Sequence, residues 1–101
     1  MAKVIWTKRA FDQLERNVKF LKTERGITVA ELVLTKILDS VSQLENFPDR
    51  GQTEPLLIRK KSVYRYLIVW SYKVIYRVEK ERVIISRVFH TSRNPEKLKG
   101  V

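Results

Sequence analysis

The spacing of apolar residues changes near residue 55, and this change limits what the chain can fold into. Before that point, apolar residues recur every three or four positions, which is the spacing of one face of an α-helix. The two helical stripes are Phe11, Leu14, Val18 and Leu21, and then Leu34, Ile37, Leu38, Val41 and Leu44. After it, residues 63–70, 72–79 and 83–89 are dense in Val, Ile, Tyr, Trp and Phe, which favour strands. A block of helices followed by a block of strands predicts an α+β fold.

Residues at the ends of the two stripes predict where the helices begin and end. A short strand, Lys3–Trp6, precedes Thr7, whose hydroxyl can cap the first helix. Gly26 is a typical helix stop, and Thr28–Glu31 fits a capping box at the start of a second helix that ends before Pro48. Because so few residues join the two helices, they are expected to form an antiparallel hairpin.

The breaks between the three strand runs are short and polar. They fall at Ser71 and at Lys80-Glu81, and connections of this length favour antiparallel pairs of strands. The tail, residues 91–101, is polar and is expected to be irregular. The sequence therefore predicts one domain, residues 1–101, in the order β-α-α-β-β-β, with a helical hairpin packed on a small, mostly antiparallel sheet.

Composition excludes several kinds of functional site. The chain has 101 residues and no Cys, which rules out disulfides, thiolate metal sites and a Cys nucleophile. Its single His90 excludes the usual two-histidine and zinc arrangements, and the sequence has no Gly-rich phosphate loop, so no cofactor and no metal are expected. No apolar run is long enough to cross a membrane, and the N-terminus does not resemble a signal peptide. A cytoplasmic location is expected.

The charge of the chain points to an anionic partner. The formal net charge is +10. Residues 1–50 hold 9 basic and 7 acidic side chains, whereas residues 51–101 hold 12 basic and 4 acidic ones. Because a solvated face usually mixes the two signs, this excess suggests nucleic acid, an acidic protein segment or an anionic membrane surface.

Cations and aromatic rings are interleaved along the predicted strands. Such interleaving is typical of surfaces that stack bases and pair with phosphates. The candidate nucleic-acid or phosphate contacts are Arg59, Lys60, Lys61, Arg77 and Arg93. Aromatic residues are also ordinary strand formers that pack a core, so the rings by themselves leave both interpretations open.

His90 ends the last predicted strand, where loops present reactive groups. Its ordinary pKa of about 6.5 allows proton transfer near neutral pH. RNA cleavage through the 2′-hydroxyl needs a proton acceptor, a proton donor and cations, and Lys73, Arg65 and Arg87 could supply the cations. A lone His is more often structural, so both roles stay open, and any catalysis here would be metal-free.

The order of several segments carries a resemblance to a known family. Phe-Pro-Asp-Arg-Gly at residues 47–51 follows the predicted hairpin. It is followed by VYRYLIV at 63–69, YKVIYRV at 72–78, VIISRVFH at 83–90 and Arg-Asn-Pro at 93–95. Over nearly its whole length the chain resembles the RelE/ParE superfamily of type II toxin–antitoxin toxins, which includes plasmid stabilisation proteins.

The resemblance implies a bacterial, cytoplasmic growth inhibitor. In this family an acidic antitoxin, encoded beside the toxin, neutralises it by laying a segment over its surface. An acidic partner of this kind agrees with the basic excess of the chain, and no membrane partner is implied.

The superfamily divides by target. RelE-like members cut mRNA in the ribosomal A site, whereas ParE-like members poison DNA gyrase and are not nucleases. Lys73 falls where ribonuclease members often have an Arg, and His90 where some have a catalytic His. However, no aromatic residue follows His90, and residues 47–51 with the long hairpin resemble the ParE branch.

The resemblance therefore favours a ParE-like gyrase inhibitor. The alternative is a RelE-like, ribosome-dependent mRNA endonuclease that uses Lys73, Arg65, Arg87 and His90. In that case His90 would act as general acid or base and the three cations would hold phosphate. A third alternative, from a different class, is a nucleic-acid-binding module without toxic activity.

Overall fold

The computed structural model describes residues 1–54 and 63–92. The elements in this part of the chain are β1 (Lys3–Trp6), α1 (Lys8–Arg25), α2 (Ile27–Ser42), a 3₁₀ turn (Gln43–Glu45), β2 (Gln52–Thr53), β3 (Tyr64–Val69), β4 (Tyr72–Glu79) and β5 (Arg82–His90). The predicted α+β class and the strand, two helices and three strands of the prediction are confirmed. Leu44, predicted in the second helix, lies in the 3₁₀ turn that follows it.

The five strands form one mixed sheet in the order β1-β5-β4-β3-β2. β1 runs parallel to β5, and the other three pairs are antiparallel, which confirms a mostly antiparallel sheet. The edge strand β2 pairs with β3 by placing Gln52 opposite Tyr66. Sequence reasoning missed β2 because two residues are too few to show an alternating pattern.

The start of α1 is fixed by Thr7, as predicted. The Thr7 hydroxyl oxygen accepts a hydrogen bond from the Ala10 amide at 3.1 Å and donates one to the Ile85 carbonyl at 2.9 Å. One turn further on, the side chain of Gln13 accepts a hydrogen bond from the Val88 amide at 2.8 Å. These contacts attach α1 to β5, because each satisfies a backbone group that would otherwise lack a partner.

The joint between the two helices is a single residue, Gly26, with φ 92° and ψ 165°. The predicted capping box at Thr28–Glu31 is wrong, because α2 already begins at Ile27 and no side chain caps its start. Gly26 both ends α1 and precedes α2, so Thr28 lies inside the helix. No helix in the described part of the chain is long and apolar enough to cross a membrane.

The main core lies between the hairpin and one face of the sheet. It joins Ala10 and Leu14 of α1 to side chains of α2 and of the three long strands. The members from those elements include Val33, Ile37, Val41, Val74, Tyr76, Val83, Ile85 and Val88. Two residues of the predicted stripes, Phe11 and Leu38, remain 50% and 43% exposed, because both stripes are wider than the surface that the sheet covers.

The other face of the sheet, which we call the open face, is defined by strand register. Paired residues in neighbouring strands point to the same side, and neighbours along a strand point to opposite sides. The open face therefore carries Tyr64, Tyr66, Ile68, Lys73, Ile75, Arg77, Arg87 and Phe89. The register shifts between β4 and β5, where Ser86 is the extra residue of a bulge between Ile85 and Arg87.

Candidate functional site

The four residues predicted to work together lie on two sides of the sheet. Lys73 pairs with Ile68 and Phe89, and Arg87 pairs with Ile75, which places both cations on the open face. Arg65 pairs with Tyr76, and His90 pairs with Tyr72, so both of these residues lie on the side that carries the helices. The strands thus separate the two cations of the open face from the imidazole.

Lys73 is held by groups of its own sheet. Its ammonium nitrogen is 2.6 Å from Glu54 Oε2 and 4.3 Å from the centre of the Tyr66 ring. Glu54 follows β2, and its amide donates a hydrogen bond of 2.8 Å to the Tyr64 carbonyl, which positions its carboxylate beside β4. Only 1% of the Glu54 side chain and 19% of the Lys73 side chain are exposed. The cation is therefore neutralised within the fold.

Arg77, predicted as a phosphate contact, also has partners on the open face. Its Nε donates to Glu79 Oε2 at 2.7 Å, and its guanidinium lies 6.0 Å from the centre of the Tyr64 ring. Burial works against the charged form of Arg77, but the hydrogen bond to Glu79 and the nearby Tyr64 outweigh it, and the pKa of Arg77 is raised. Arg77 thus remains a cation with its charge directed to a neighbouring carboxylate.

Arg87 differs from the other cations of the open face. Burial, with repulsion from Arg9, lowers the pKa of its guanidinium. Its Nε is buried and has no hydrogen-bond partner within residues 1–54 and 63–92. Arg59, Lys60, Lys61 and Arg93 were predicted as further phosphate contacts, and they lie outside the described residues.

Arg65 helps to hold the loop that carries the Phe-Pro-Asp-Arg-Gly sequence. Its guanidinium donates to the Gly51 carbonyl at 2.9 Å, and its Nε is 3.8 Å from Asp49 Oδ1. The buried hydroxyl of Tyr76 accepts a hydrogen bond from the Gly51 amide and donates one to the Pro48 carbonyl, both at 2.8 Å. These contacts give Arg65 and the loop sequence a structural role.

His90 forms one wall of a groove of about 590 Å³ between α1 and the ends of β4 and β5. Its ring lies edge-on to Tyr72 with the ring centres 5.4 Å apart. Nδ1 accepts a hydrogen bond from the Ser92 amide at 3.1 Å and lies 2.8 Å from the Ser92 hydroxyl. Arg16 and Phe20 of α1 form the opposite wall. The Ser92 amide and hydroxyl thus hold the imidazole through its Nδ1 atom.

A second groove, which we call the hairpin groove, runs along the outside of α1 and α2. Its volume is about 720 Å³, and it contains the two stripe residues that the sheet leaves uncovered. The apolar side chains that line it are Phe11, Leu14, Val18, Leu34 and Leu38. Arg16, Lys19 and Lys22 lie at its rim beside Asp12 and Glu15. In the sequence, the groove is indicated only by apolar stripes that are wider than the surface the sheet can cover.

Comparison with known proteins assigns the family. Residues 4–95 match the family described as the ParE toxin of the type II toxin-antitoxin system, parDE. The chain belongs to the ParE toxin family. Among solved structures it is similar to one titled "Chromosomal ParDE TA system from P. aeruginosa", with a TM-score of 0.75 and 20% identity over 91% of this chain and 98% of that one. No curated protein gives a significant match.

Membership of the ParE toxin family confirms the predicted RelE/ParE resemblance and the predicted type II toxin function. A parDE system pairs its toxin with an antitoxin, so this ParE toxin has an antitoxin partner. Sequence reasoning missed two residues that shape the site of this ParE toxin, Glu54 and Tyr76. Nothing in the sequence around either residue indicates its partner, because both partners are distant along the chain.

Proposed function

We propose that this ParE toxin inhibits bacterial growth by binding DNA gyrase and that it does not cut mRNA. The observation that carries the proposal is the ion pair between Lys73 and the buried Glu54, at 2.6 Å. Lys73 is the cation that a ribonuclease of this superfamily would direct at the phosphate of its substrate.

The ion pair opposes phosphate binding in two ways. The positive charge of Lys73 is already balanced by a carboxylate at hydrogen-bonding distance. A phosphate that displaced Glu54 would separate Lys73 from a carboxylate that is only 1% exposed, and separating a buried ion pair is costly in a protein interior. The transition state of RNA cleavage needs a cation that is free to take up new negative charge.

The position of His90 supports the same conclusion. A general acid or base acts within hydrogen-bond reach of the proton that it transfers. His90 pairs with Tyr72 on the side of the helices, whereas Lys73 and Arg87 lie on the open face. One phosphodiester would have to contact both sides of the sheet to use all three groups.

The proposal is tested by inducing the toxin in bacteria and following both targets. We expect gyrase–DNA cleavage complexes and a DNA damage response, with translation continuing at first. Purified toxin should inhibit supercoiling by purified gyrase. Translation arrest with cuts in the ribosomal A site would instead favour the mRNA endonuclease. Normal growth with neither response would favour the non-toxic nucleic-acid-binding module.

The His90→Ala variant separates the two toxic mechanisms. We expect growth inhibition to stay within about twofold of wild type, because a gyrase inhibitor needs no proton transfer, whereas loss of general acid–base catalysis costs about 10²–10⁴-fold in rate. Growth inhibition is measured by induction titration at matched protein levels. Ser92→Ala is the control, because it removes the hydroxyl beside Nδ1 and keeps the imidazole. A steep loss of toxicity in His90→Ala, with normal folding and an active control, would contradict the proposal.

We further propose that the antitoxin partner is acidic. The proposal is supported by the net charge of +10 and by the basic rim of the hairpin groove. Oppositely charged chains attract each other at long range and associate faster.

We also propose that the toxin acts in the cytoplasm, because bacterial gyrase acts on DNA in that compartment.

A further inference from the structure

The turn between β3 and β4 holds a bulky residue in an unfavourable backbone conformation. The turn is formed by Trp70 and Ser71, and Trp70 has φ 56°. This left-handed region favours Gly, Asn or Asp, and a bulky residue there is an outlier. Trp70 is nevertheless 52% exposed. The turn therefore carries the strain of Trp70 while about half of this residue stays exposed.

The turn between β4 and β5 provides an internal comparison. It also has two residues, Lys80 and Glu81, and Lys80 has φ 55°. Both turns thus place a non-glycine residue in the left-handed conformation at their first position. Lys80 and Glu81 are charged and exposed, as is usual at the tip of a hairpin. Trp70 occupies the same position with a large apolar side chain, so the geometry of the turn does not explain its presence.

The segment that carries Trp70 is uncharged, and a hydrogen bond attaches it to the end of β5. The segment Leu67–Tyr72 contains no charged residue, and Ile68, on the open face, is 54% exposed. The Ser71 carbonyl accepts a hydrogen bond of 2.8 Å from the Thr91 amide, which attaches the turn to the residue after β5. We call residues 68–71 the Trp70 tip. It presents two apolar side chains on a hydrogen-bonded support, and little conformational entropy is lost when it binds.

We infer that the Trp70 tip is a surface by which this toxin contacts gyrase, with the indole inserted into an apolar pocket of that enzyme. This inference rests on the proposed function. Tryptophan is enriched among the few residues that dominate the energy of protein interfaces.

The absence of charge on the Trp70 tip favours a protein pocket over a nucleic acid or an acidic antitoxin as its binding partner. The nearest cation along the strand, Lys73, is paired with Glu54, so the tip offers no cation for the phosphates of a nucleic acid. An acidic antitoxin is attracted to cationic surfaces, and the tip is uncharged. An uncharged, rigid and aromatic tip suits an apolar pocket in a protein.

The test compares Trp70→Gly with Lys80→Gly. Both substitutions place glycine at the same position of a two-residue turn and relieve the same backbone strain. We expect both variants to be at least as resistant to urea as wild type. Only Trp70→Gly should lose affinity for purified gyrase, by about tenfold or more, since aromatic anchors at interface centres have effects of this size. Ile68→Thr, which keeps a β-branched strand residue, should weaken gyrase binding by a smaller factor.

Three results would overturn the inference. One is that Trp70→Gly binds gyrase as wild type does. Another is that it loses affinity for the antitoxin while its affinity for gyrase is unchanged. The third is that it loses affinity for single-stranded RNA or DNA instead. Binding of wild-type toxin to gyrase is measured first. If the wild type does not bind, the proposed function is wrong, and this result differs from one in which only the role of the Trp70 tip is wrong.

Discussion

At the scale of single residues, Tyr76 connects the centre of the sheet to the loop that precedes β2. Its side chain is fully buried, and its hydroxyl both accepts a hydrogen bond from Gly51 and donates one to Pro48. Gly51 allows this close approach, because a Cβ atom there would lie 2.6 Å from the Tyr76 hydroxyl oxygen. The same Cβ atom would lie 2.7 Å from the Tyr66 carbonyl oxygen, so the packing of the loop against both residues requires glycine.

The Tyr76→Phe variant tests this connection. We expect it to unfold about 1–3 kcal/mol more easily at neutral pH, because it leaves the Gly51 amide and the Pro48 carbonyl without their partner. Urea denaturation measures the difference. Tyr66→Phe is the matched control, since it removes an exposed hydroxyl bonded to Gln52, and its effect should be within about 0.5 kcal/mol.

The difference between wild type and Tyr76→Phe should shrink in alkaline solution. Burial raises the pKa of Tyr76, although the hydrogen bond from Gly51 works against the rise. The folded state therefore favours the neutral phenol, and this stabilisation is complete below the unfolded pKa of about 10 and is lost as pH rises through the raised folded pKa. Wild type should lose more stability than Tyr76→Phe above about pH 10. A constant difference across that range would contradict this account.

The sequence was sufficient to choose Lys73 and His90 as candidate site residues, but it did not show which residues they contact. Lys73 and His90 could be selected from the sequence because their side-chain chemistry limits what they do. The pairing of Lys73 with Glu54 depends on β2, a two-residue strand without any pattern. The division of Lys73 and His90 between two sides of the sheet follows from strand register, which residue types alone do not reveal.

At the scale of elements, the helical hairpin depends on its one-residue joint. Gly26 has φ 92° and ψ 165°, a combination that only glycine adopts readily. Its missing side chain is not needed for space, since a Cβ atom there would have no neighbour within 4 Å. The requirement for glycine at this joint is therefore one of backbone conformation alone.

We expect Gly26→Ala to destabilise the protein by about 1–3 kcal/mol, because alanine must adopt a backbone conformation that is strained for any residue with a Cβ atom. Thermal and urea unfolding measure the change. Thr28→Ala is the control. It should change stability by less than about 0.5 kcal/mol, since no side chain caps the start of α2. A large effect of Thr28→Ala would restore the capping box that the structure excludes.

The helices themselves could be predicted, whereas the burial of their residues could not. Stripes at helical spacing are sufficient to identify α1 and α2, and Thr7 marks the start of α1. Which stripe residues become buried depends on how far the sheet extends beneath the hairpin. Phe11 and Leu38 lie beyond it and line the hairpin groove.

At the scale of the whole molecule, the count of 21 basic residues overstates the number of cations that are available to a partner. Four cations are ion-paired within the described residues, and only one of these pairs joins residues four apart on a helix. The pairs are Lys8–Asp12, Arg65–Asp49, Lys73–Glu54 and Arg77–Glu79. Composition predicts an excess of positive charge, and the fold decides which cations remain available to a partner.

We expect the association of toxin and antitoxin to slow as salt is added. Raising ionic strength from about 0.05 to 0.5 M should lower the association rate constant by about tenfold or more, since steering between opposite charges is screened. The dissociation rate constant should change less, because apolar contacts at close range are not screened by salt. Surface plasmon resonance at several salt concentrations measures both. An association rate that does not depend on salt would contradict the proposed acidic partner.

The parallel pairing of the first strand with the last constrains when this protein can complete its fold. Thr7 is bonded to Ile85, 78 positions away, and β1 lies beside β5 at the edge of the sheet. Contacts this distant along the chain form slowly, and during translation they must wait for the C-terminal strand to leave the ribosome. A nascent chain that stops before β5 has no partner for β1, and it lacks the strand to which Thr7 and Gln13 attach the start of α1. Each toxin molecule can therefore close its sheet, with β1 beside β5, only after β5 has left the ribosome.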